Sequence, residues 1–453
     1  MQRQLGAREI MGERVAELAE HWTGGTIVDW GDLGERQRHR LQEATTGETP
    51  EAVIYPQTVE ALTEVMQIAH EWGVAVIPMG AGSKLHWGGV VQQAPWVIST
   101  RDLDRLVEHA VGDLTVTVEA GAKLRTVEEI LAKSQQFLAI DPIYADDATI
   151  GGIVATGDMG SWRQRYNSIR DRLIGISFVR HDGQLVKAGG RVVKNVAGYD
   201  LMKLLTASYG TLGVISQLTF RLYPLPEAST TLVMTGGASE IEEAMLAIRR
   251  SSVVPTALDL LSPGLLRRLQ LEGDLGLGIR VQNVAVSVEQ QCDRLQELAQ
   301  RLTLAVTPLE GEEEQGFWGN AQQALEQGTP QERLLLKWGV RPTAMISTLD
   351  RLEEILAQVQ GNNAKERAIA RFYAGSGLGH LSLPRSQATS SILGQLRRHC
   401  QANAGFLTIL EAPQDLKRHI DPWGDLGTAR IAMTRLKQTF DPQTRLSPGR
   451  FLA

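Results

Sequence analysis

Asp141-Pro142, Ala148-Thr149-Ile150-Gly151-Gly152, Gly189-Gly190-Arg191-Val192-Val193-Lys194-Asn195-Val196-Ala197-Gly198-Tyr199-Asp200 and Gly210-Thr211-Leu212-Gly213-Val214-Ile215 follow one another between Asp141 and Pro224. Small residues at this density, set between apolar strand-like runs, mark bends where the main chain closes on a flat, phosphorylated ligand. Taken alone, a Gly-Gly pair such as Gly151-Gly152 reads as an ordinary turn. With Pro78 to Ser83 before it and Gly210 to Ile215 after it, it is the second of three such bends, which in one sequence order point to a shared cleft.

Working outward, Glu51 to Ser83 reads strand, helix, strand: Ala52 to Tyr55, an apolar stripe through Val59, Leu62, Val65, Met66 and Ala69, then Val74 to Ile77. The spacing of three and four predicts a helix, with Thr58 as its cap and Glu60 in its first turn. Pro78-Met79-Gly80-Ala81-Gly82-Ser83 then stands where the strand ends, the place at which open α/β sheets take ligands. The third glycine of a GxGxxG fingerprint is missing, because position 85 is Leu, and no GxxxxGK[ST] run exists. What is left is a nest of main-chain amides for an anion, formed without a lysine. Leu114 to Val118 alternates as a strand, and a helix is expected over Thr126 to Lys133.

Past Pro224 and Pro226 the rhythm changes. Helical runs at Ser239 to Arg249, Val288 to Arg301 and Thr348 to Val359 alternate with strand-like runs such as Val281 to Val286 and Ala368 to Tyr373. They predict a second α+β domain, an antiparallel sheet with helices on one side. Acidic Glu310 to Gln315 reads as an exposed loop, and Phe317-Trp318 as a local core contact. The tail from Phe440 to Phe451 is expected to pack back on the first domain. The division expected is an N-terminal helical segment (1–49), a ligand-binding domain (50–225), a cap (226–420) and a returning C-terminal segment (421–453).

Composition narrows the function classes. With 453 residues and 43% hydrophobic content the chain holds two cores, and no apolar run reaches the length of a membrane span. A cytoplasmic protein is expected, free or peripheral to the inner membrane through a complex. A net charge of -6 argues against a nucleic-acid binder. Cys292 and Cys400 lack CxxC spacing, so neither a disulfide framework nor a cysteine-ligated metal site is supported. One stretch is locally basic: Arg163, Arg165, Arg170, Arg172, Arg180, Lys187, Arg191 and Lys194 stand against Asp171 and Asp182. It reads either as a solvated face or as a neutralising surface for a pyrophosphate or anionic substrate.

The loop at Pro78 to Ser83, Asp141-Pro142, Ala148 to Gly152, Val193-Lys194-Asn195-Val196-Ala197-Gly198-Tyr199-Asp200 and Pro448-Gly449-Arg450 resemble the PCMH-type FAD-binding flavoproteins. Within that family the chain is most similar to the FAD-binding E subunits of bacterial glycolate oxidases. The resemblance covers Glu51 to Pro224 and about the last 45 residues. It implies an α+β fold: an FAD-binding domain of two α+β subdomains plus a cap domain with an antiparallel sheet. By position, Pro78, Met79, Gly80, Ala81, Gly82 and Ser83 would hold the FAD pyrophosphate. Asp141, Pro142, Ala148, Thr149, Gly151, Gly152, Ala155 and Thr156 would line the flavin cleft, and Gly213, Val214 and Ile215 would meet the adenine end. Relatives with covalent flavin carry a histidine where Ser83 stands, so non-covalent FAD is implied, with His86 nearby. The partners implied are a catalytic D-type flavoprotein subunit, an iron–sulfur subunit and a small 2-hydroxy acid substrate.

Oxidising a 2-hydroxy acid needs a base, cations for the carboxylate and a hydride acceptor. Catalytic relatives resemble one another in a paired-histidine metal motif and a later Glu-His-Gly. Here one histidine, His380, follows Ala374 to Gly379, and Glu411-Ala412-Pro413 stands at the second place. No metal site is expected from one ligand. His380, Arg371 and Glu411 are the catalytic candidates, with Lys337 as a further cation; isolated charges of this kind ordinarily lie on solvated faces. Three readings follow: an FAD-binding subunit contributing to glycolate oxidation, a self-sufficient D-lactate or glycolate dehydrogenase, and a non-catalytic assembly subunit.

Overall fold

Ala52–Pro56 is a strand buried along its whole length, and its neighbours explain why every residue in it is apolar. The computed structural model describes residues 13–47, 49–191, 198–358 and 367–451. They divide into two units: residues up to 158 with 168–224 and those from 425 on, and residues 159–167 with 225–424.

In the first unit, strands Gly25–Asp29, Ala52–Pro56, Trp96–Ser99 and Val76–Met79 form a sheet in that order, antiparallel at its first pair and parallel at the other two. The helix Val59–Glu71 connects Ala52–Pro56 to Val76–Met79 and is capped by the Thr58 hydroxyl, which accepts from the Ala61 amide at 3.1 Å. Its stripe of Leu62, Val65 and Met66 covers one face of the sheet; Leu41, Leu85 and Val91 cover the other. Covered on both faces, the strands have no polar alternation. The segment read as helical, 1–49, contains the helix Glu35–Ala44 and also the strand Gly25–Asp29, whose Thr26, Ile27 and Val28 are β-branched.

A second, antiparallel sheet of this unit runs Leu185–Gly189, Leu173–Val179, Val214–Arg221, Thr115–Glu119, Leu106–Ala110. The C-terminal segment belongs to the same unit. Its Arg445 carbonyl accepts from the Val76 amide at 2.8 Å, and its Ser447 amide donates to the Val76 carbonyl at 2.9 Å.

The second unit is one eight-stranded sheet in which all recorded pairs are antiparallel. Helices Ala238–Arg250, Ala285–Arg301, Met345–Ala357 and Ser390–Ala402 share one core over one face. The opposite face also has cover: helix Gly311–Glu326 packs Phe317 and Trp318 with Val233 and Leu265. Helices on one side alone was therefore the wrong expectation, as was an exposed loop at Glu310 to Gln315. The acidic run has an internal reason, because buried Glu314 accepts from Ser229 at 2.8 Å, Thr231 at 2.7 Å and Arg280 Nε at 2.9 Å. Among the described residues no helix is long and apolar enough to cross a membrane.

Candidate functional site

The three bends meet in the first unit. One cleft is lined by loop 78–83, by Thr149, Gly151, Gly152, Ala155 and Thr156, and by Gly213, Val214 and Ile215. Asp141, Pro142 and Ala148 do not line it. Pro142 and Ala148 are buried and Asp141 half-buried, and Asp158 accepts from the neighbouring Ile143 amide at 2.8 Å. Val193 to Ala197 lie outside the described residues.

Local sequence explains the shape of the cleft. At Gly80 a Cβ would stand 2.2 Å from Thr149 Oγ1, so the first two bends touch only because position 80 has no side chain. Gly82 holds φ at +77°, in the left-handed region. Ser99 Oγ and Thr100 Oγ1 donate to the Gly80 and Met79 carbonyls at 2.9 and 3.4 Å, which turns the loop's oxygens toward the protein. Its amides are differently placed: among the described residues those of Ala81, Gly82 and Ser83 have no protein acceptor. Unpaired main-chain donors at a buried bend are costly unless a ligand oxygen takes them. The donor set therefore fits a phosphate-bearing cofactor.

The second bend differs from its sequence reading. Thr149 to Gly152 is the cap and first turn of the helix Ile150–Thr156. Its amides are already engaged, Ile150 with the Ala122 carbonyl at 2.9 Å, Gly151 with Ala120 at 2.8 Å, and Gly152 with Thr149 Oγ1 at 3.3 Å. Here glycine serves contact: a Cβ on Gly151 would come 2.7 Å from Ala120 Cβ. This bend shapes the cleft, and the donors come from the first.

Sequence reasoning left out the lining residues Lys84, Leu85, Thr100 and Tyr209, and it quoted Gly210 and Arg450 within motifs without assigning them to the cleft. Two are buried cations, which corrects the expectation of a nest formed without a lysine. Lys84 Nζ lies 2.7 Å from Asp158 Oδ2. Arg450 Nη1 donates to the Leu85 and Trp87 carbonyls at 2.7 and 3.1 Å. Burial pushes the Arg450 guanidinium down to about 10, still charged at neutral pH, and raises the Tyr209 phenol, with Asp158 adding to the rise. Arg450 was legible as part of Pro448-Gly449-Arg450, but its distance of more than 350 residues from the loop it supports was not.

The catalytic candidates lie in the second unit. Arg371 is buried with its Nε 2.5 Å from Asp259 Oδ2, its Nη2 on Ser161 Oγ, and its cation 5.2 Å from the Trp318 ring centre. Burial raises the Asp259 carboxyl, against the pull of Arg371. His380 Nδ1 stands 2.9 Å from the Tyr373 hydroxyl, and His380 is the cross-strand neighbour of both Arg371 and Lys337. Glu411 is elsewhere, 3.3 Å from Arg333. The expectation of solvated charges fails for Arg371 and Glu411, which are both buried in ion pairs. The basic stretch is divided between the two units. Arg163 and Arg165 belong to the second unit; in the first, Arg172 is buried, Arg180 pairs with Asp182 at 3.1 Å and Arg191 with Glu108 at 2.5 Å.

Residues 50–189 match the family described as FAD binding domain. The chain is 25% identical to glycolate oxidase subunit GlcD of Bacillus subtilis (strain 168) over 433 residues, 89% of each chain. It is 34% identical to glycolate oxidase subunit GlcE of Escherichia coli (strain K12) over 174 residues, 38% of this chain and 49% of that one. It likewise spans about half the length, or less, of the D-lactate dehydrogenases it matches. The solved structure of p-cresol methylhydroxylase with substrate bound has a TM-score of 0.74 at 13% identity, covering 98% of this chain and 96% of that one, a likeness of fold. The segment that matches the FAD binding domain family supplies most of the cleft's lining, and the chain shares the fold of p-cresol methylhydroxylase.

Proposed function

We propose that the chain is the FAD-carrying, GlcE-like subunit of an oxidoreductase complex that oxidises small 2-hydroxy acids, glycolate to glyoxylate first among them. A GlcD-type flavoprotein and an iron–sulfur subunit are its partners. The reading is carried by the free amides of Ala81, Gly82 and Ser83 in a cleft of the segment that matches the FAD binding domain family, together with the 34% identity to GlcE over 174 residues. FAD, when bound, supplies the hydride acceptor. The chain's own residues bind and orient it: the first bend donates to phosphate oxygens, Gly80 lets the second bend close on it, and Arg450 holds the carbonyls of Leu85 and Trp87 in place. Ser83 in the first bend makes the FAD non-covalent. The substrate base and carboxylate cations belong to the partner flavoprotein, because Arg371 is turned to Asp259 and His380 to Tyr373.

The test is to purify the chain alone, release the flavin of one sample by heat, and add glycolate or D-lactate with a dye acceptor to a second, unheated sample. A heat-released flavin spectrum with negligible dye reduction is the expected result. Similarity to GlcD over 89% of both chains favours a second reading, a self-sufficient dehydrogenase. Brisk dye reduction by the isolated chain, abolished in His380→Ala, would establish that reading and overturn the first.

A further inference from the structure

Lys84 is the residue directly after the three free amides, and it lines the same cleft. Its side chain is 4% exposed. An ammonium has three N–H donors and no acceptor. Asp158 Oδ2 lies 2.7 Å away, but the contact is an ion pair out of line for a hydrogen bond, so Nζ is buried with no hydrogen-bond acceptor among the described residues. The Trp87 ring centre, 5.4 Å from Nζ, borders the ammonium on another side. A buried ammonium in this condition is expensive, and the Coulomb attraction of one carboxylate does not replace the lost hydration of three donors. The arrangement is accounted for when an oxygen of a ligand in the cleft accepts from Nζ.

We infer that Lys84 is a cofactor-contacting residue, donating to a diphosphate oxygen of the bound dinucleotide, and that Asp158 is the positioning residue that holds its ammonium at the cleft wall. The diphosphate is chosen over a ring carbonyl because Lys84 continues the run of amide donors at 81–83, and consecutive donors at one bend converge on one anion. Asp158 suits the positioning role: it is 2% exposed and also accepts from the Ile143 amide at 2.8 Å, so it is anchored from a second side. The inference rests on the FAD reading of the cleft and assigns a side chain where that reading used only main chain.

Isothermal titration of the full chain, stripped of flavin, with FAD, ADP and riboflavin tests it. Lys84→Met is expected to weaken FAD and ADP each by tenfold or more and leave riboflavin unchanged, while Lys84→Arg, which keeps a donor cation, retains most of the affinity. Should the single variant fail to fold by circular dichroism, Lys84→Met/Asp158→Asn leaves no lone buried charge and is expected to show the same loss. FAD and ADP binding at wild-type strength in either folded variant overturns the inference. Loss for FAD and riboflavin with ADP unchanged overturns the diphosphate assignment. Wild-type chain that binds no FAD would instead refute the cofactor reading itself, before any variant is compared.

Discussion

Gly80 is where one methyl group decides between two bends. Its added Cβ would meet Thr149 Oγ1 at 2.2 Å, a clash relieved when the Thr149 hydroxyl gives up its cap on the Gly152 amide or the backbone shifts. Gly80→Ala is expected to destabilise by about 1–3 kcal/mol, the usual range for overpacking, and to weaken FAD binding further by widening the cleft; urea midpoint and flavin fluorescence quenching check the two effects. Titratable residues act in opposite directions. Burial pulls the His181 and His399 imidazoles below their ordinary value, with the neighbouring His70 adding to the effect at His181. A histidine held neutral by the fold contributes stability that is full above its unfolded pKa of about 6.5 and lost as pH falls below it. Urea midpoints should therefore drop from pH 7.5 to pH 5.5, less steeply in His181→Gln. Glu128 has the reverse sign: burial, with Asp141 adding and Arg125 opposing, pushes its carboxyl up to about 7. A raised carboxyl costs stability as pH climbs from its unfolded value toward 7, so Glu128→Gln should be more stable than wild type at pH 8 and equal to it at pH 4. Burial, the leading cause at all three, is not readable from sequence neighbours, although near neighbours such as Arg125 at Glu128 and Asp182 at His181 also contribute.

At the scale of elements, periodicity was informative wherever burial was one-sided or complete. The helix over Val59–Glu71 with its Thr58 cap, the strand at Thr115–Glu119 and three helices of the second unit, Ala238–Arg250, Ala285–Arg301 and Met345–Ala357, were legible from spacing alone. Helix Gly311–Glu326 was not, since three glutamates in its first turn and two internal glycines mimic a solvated loop, while Glu314 is in fact turned inward to Arg280. The C-terminal segment shows a related device. Lys437 Nζ reaches the Thr211 carbonyl at 2.8 Å, the Leu446 carbonyl at 3.0 Å and Asp441 at 2.5 Å, joining the third bend of the cleft to the tail. Asp441 in turn accepts from the Arg445 and Leu446 amides at 2.8 Å. Lys437→Met leaves a buried carboxylate without its cation and is expected to cost about 3–5 kcal/mol, read as a lowered thermal midpoint; if the midpoint is unchanged, the tail does not brace the bend.

For the whole molecule, binding and stability are linked. A ligand that binds only the folded state stabilises it by about 2.7 kcal/mol at a hundredfold excess over Kd, so added FAD should raise the midpoint of the first unit's unfolding, and ADP should raise it less. What the sequence determined by itself is local: the β-α-β unit, the small-residue bends, and a family resemblance strong enough to name the cofactor. Alternation and glycine placement are short-range properties, imposed by backbone sterics within a few residues. What only the tertiary structure decided is which groups face one another: that the second bend uses its amides internally, that Lys84 meets Asp158 across 74 residues, and that Arg450 returns to the loop at Leu85. Those pairings depend on how sheets stack and where a tail lands, and Coulomb energy and hydrogen bonding act across space without regard to separation along the chain.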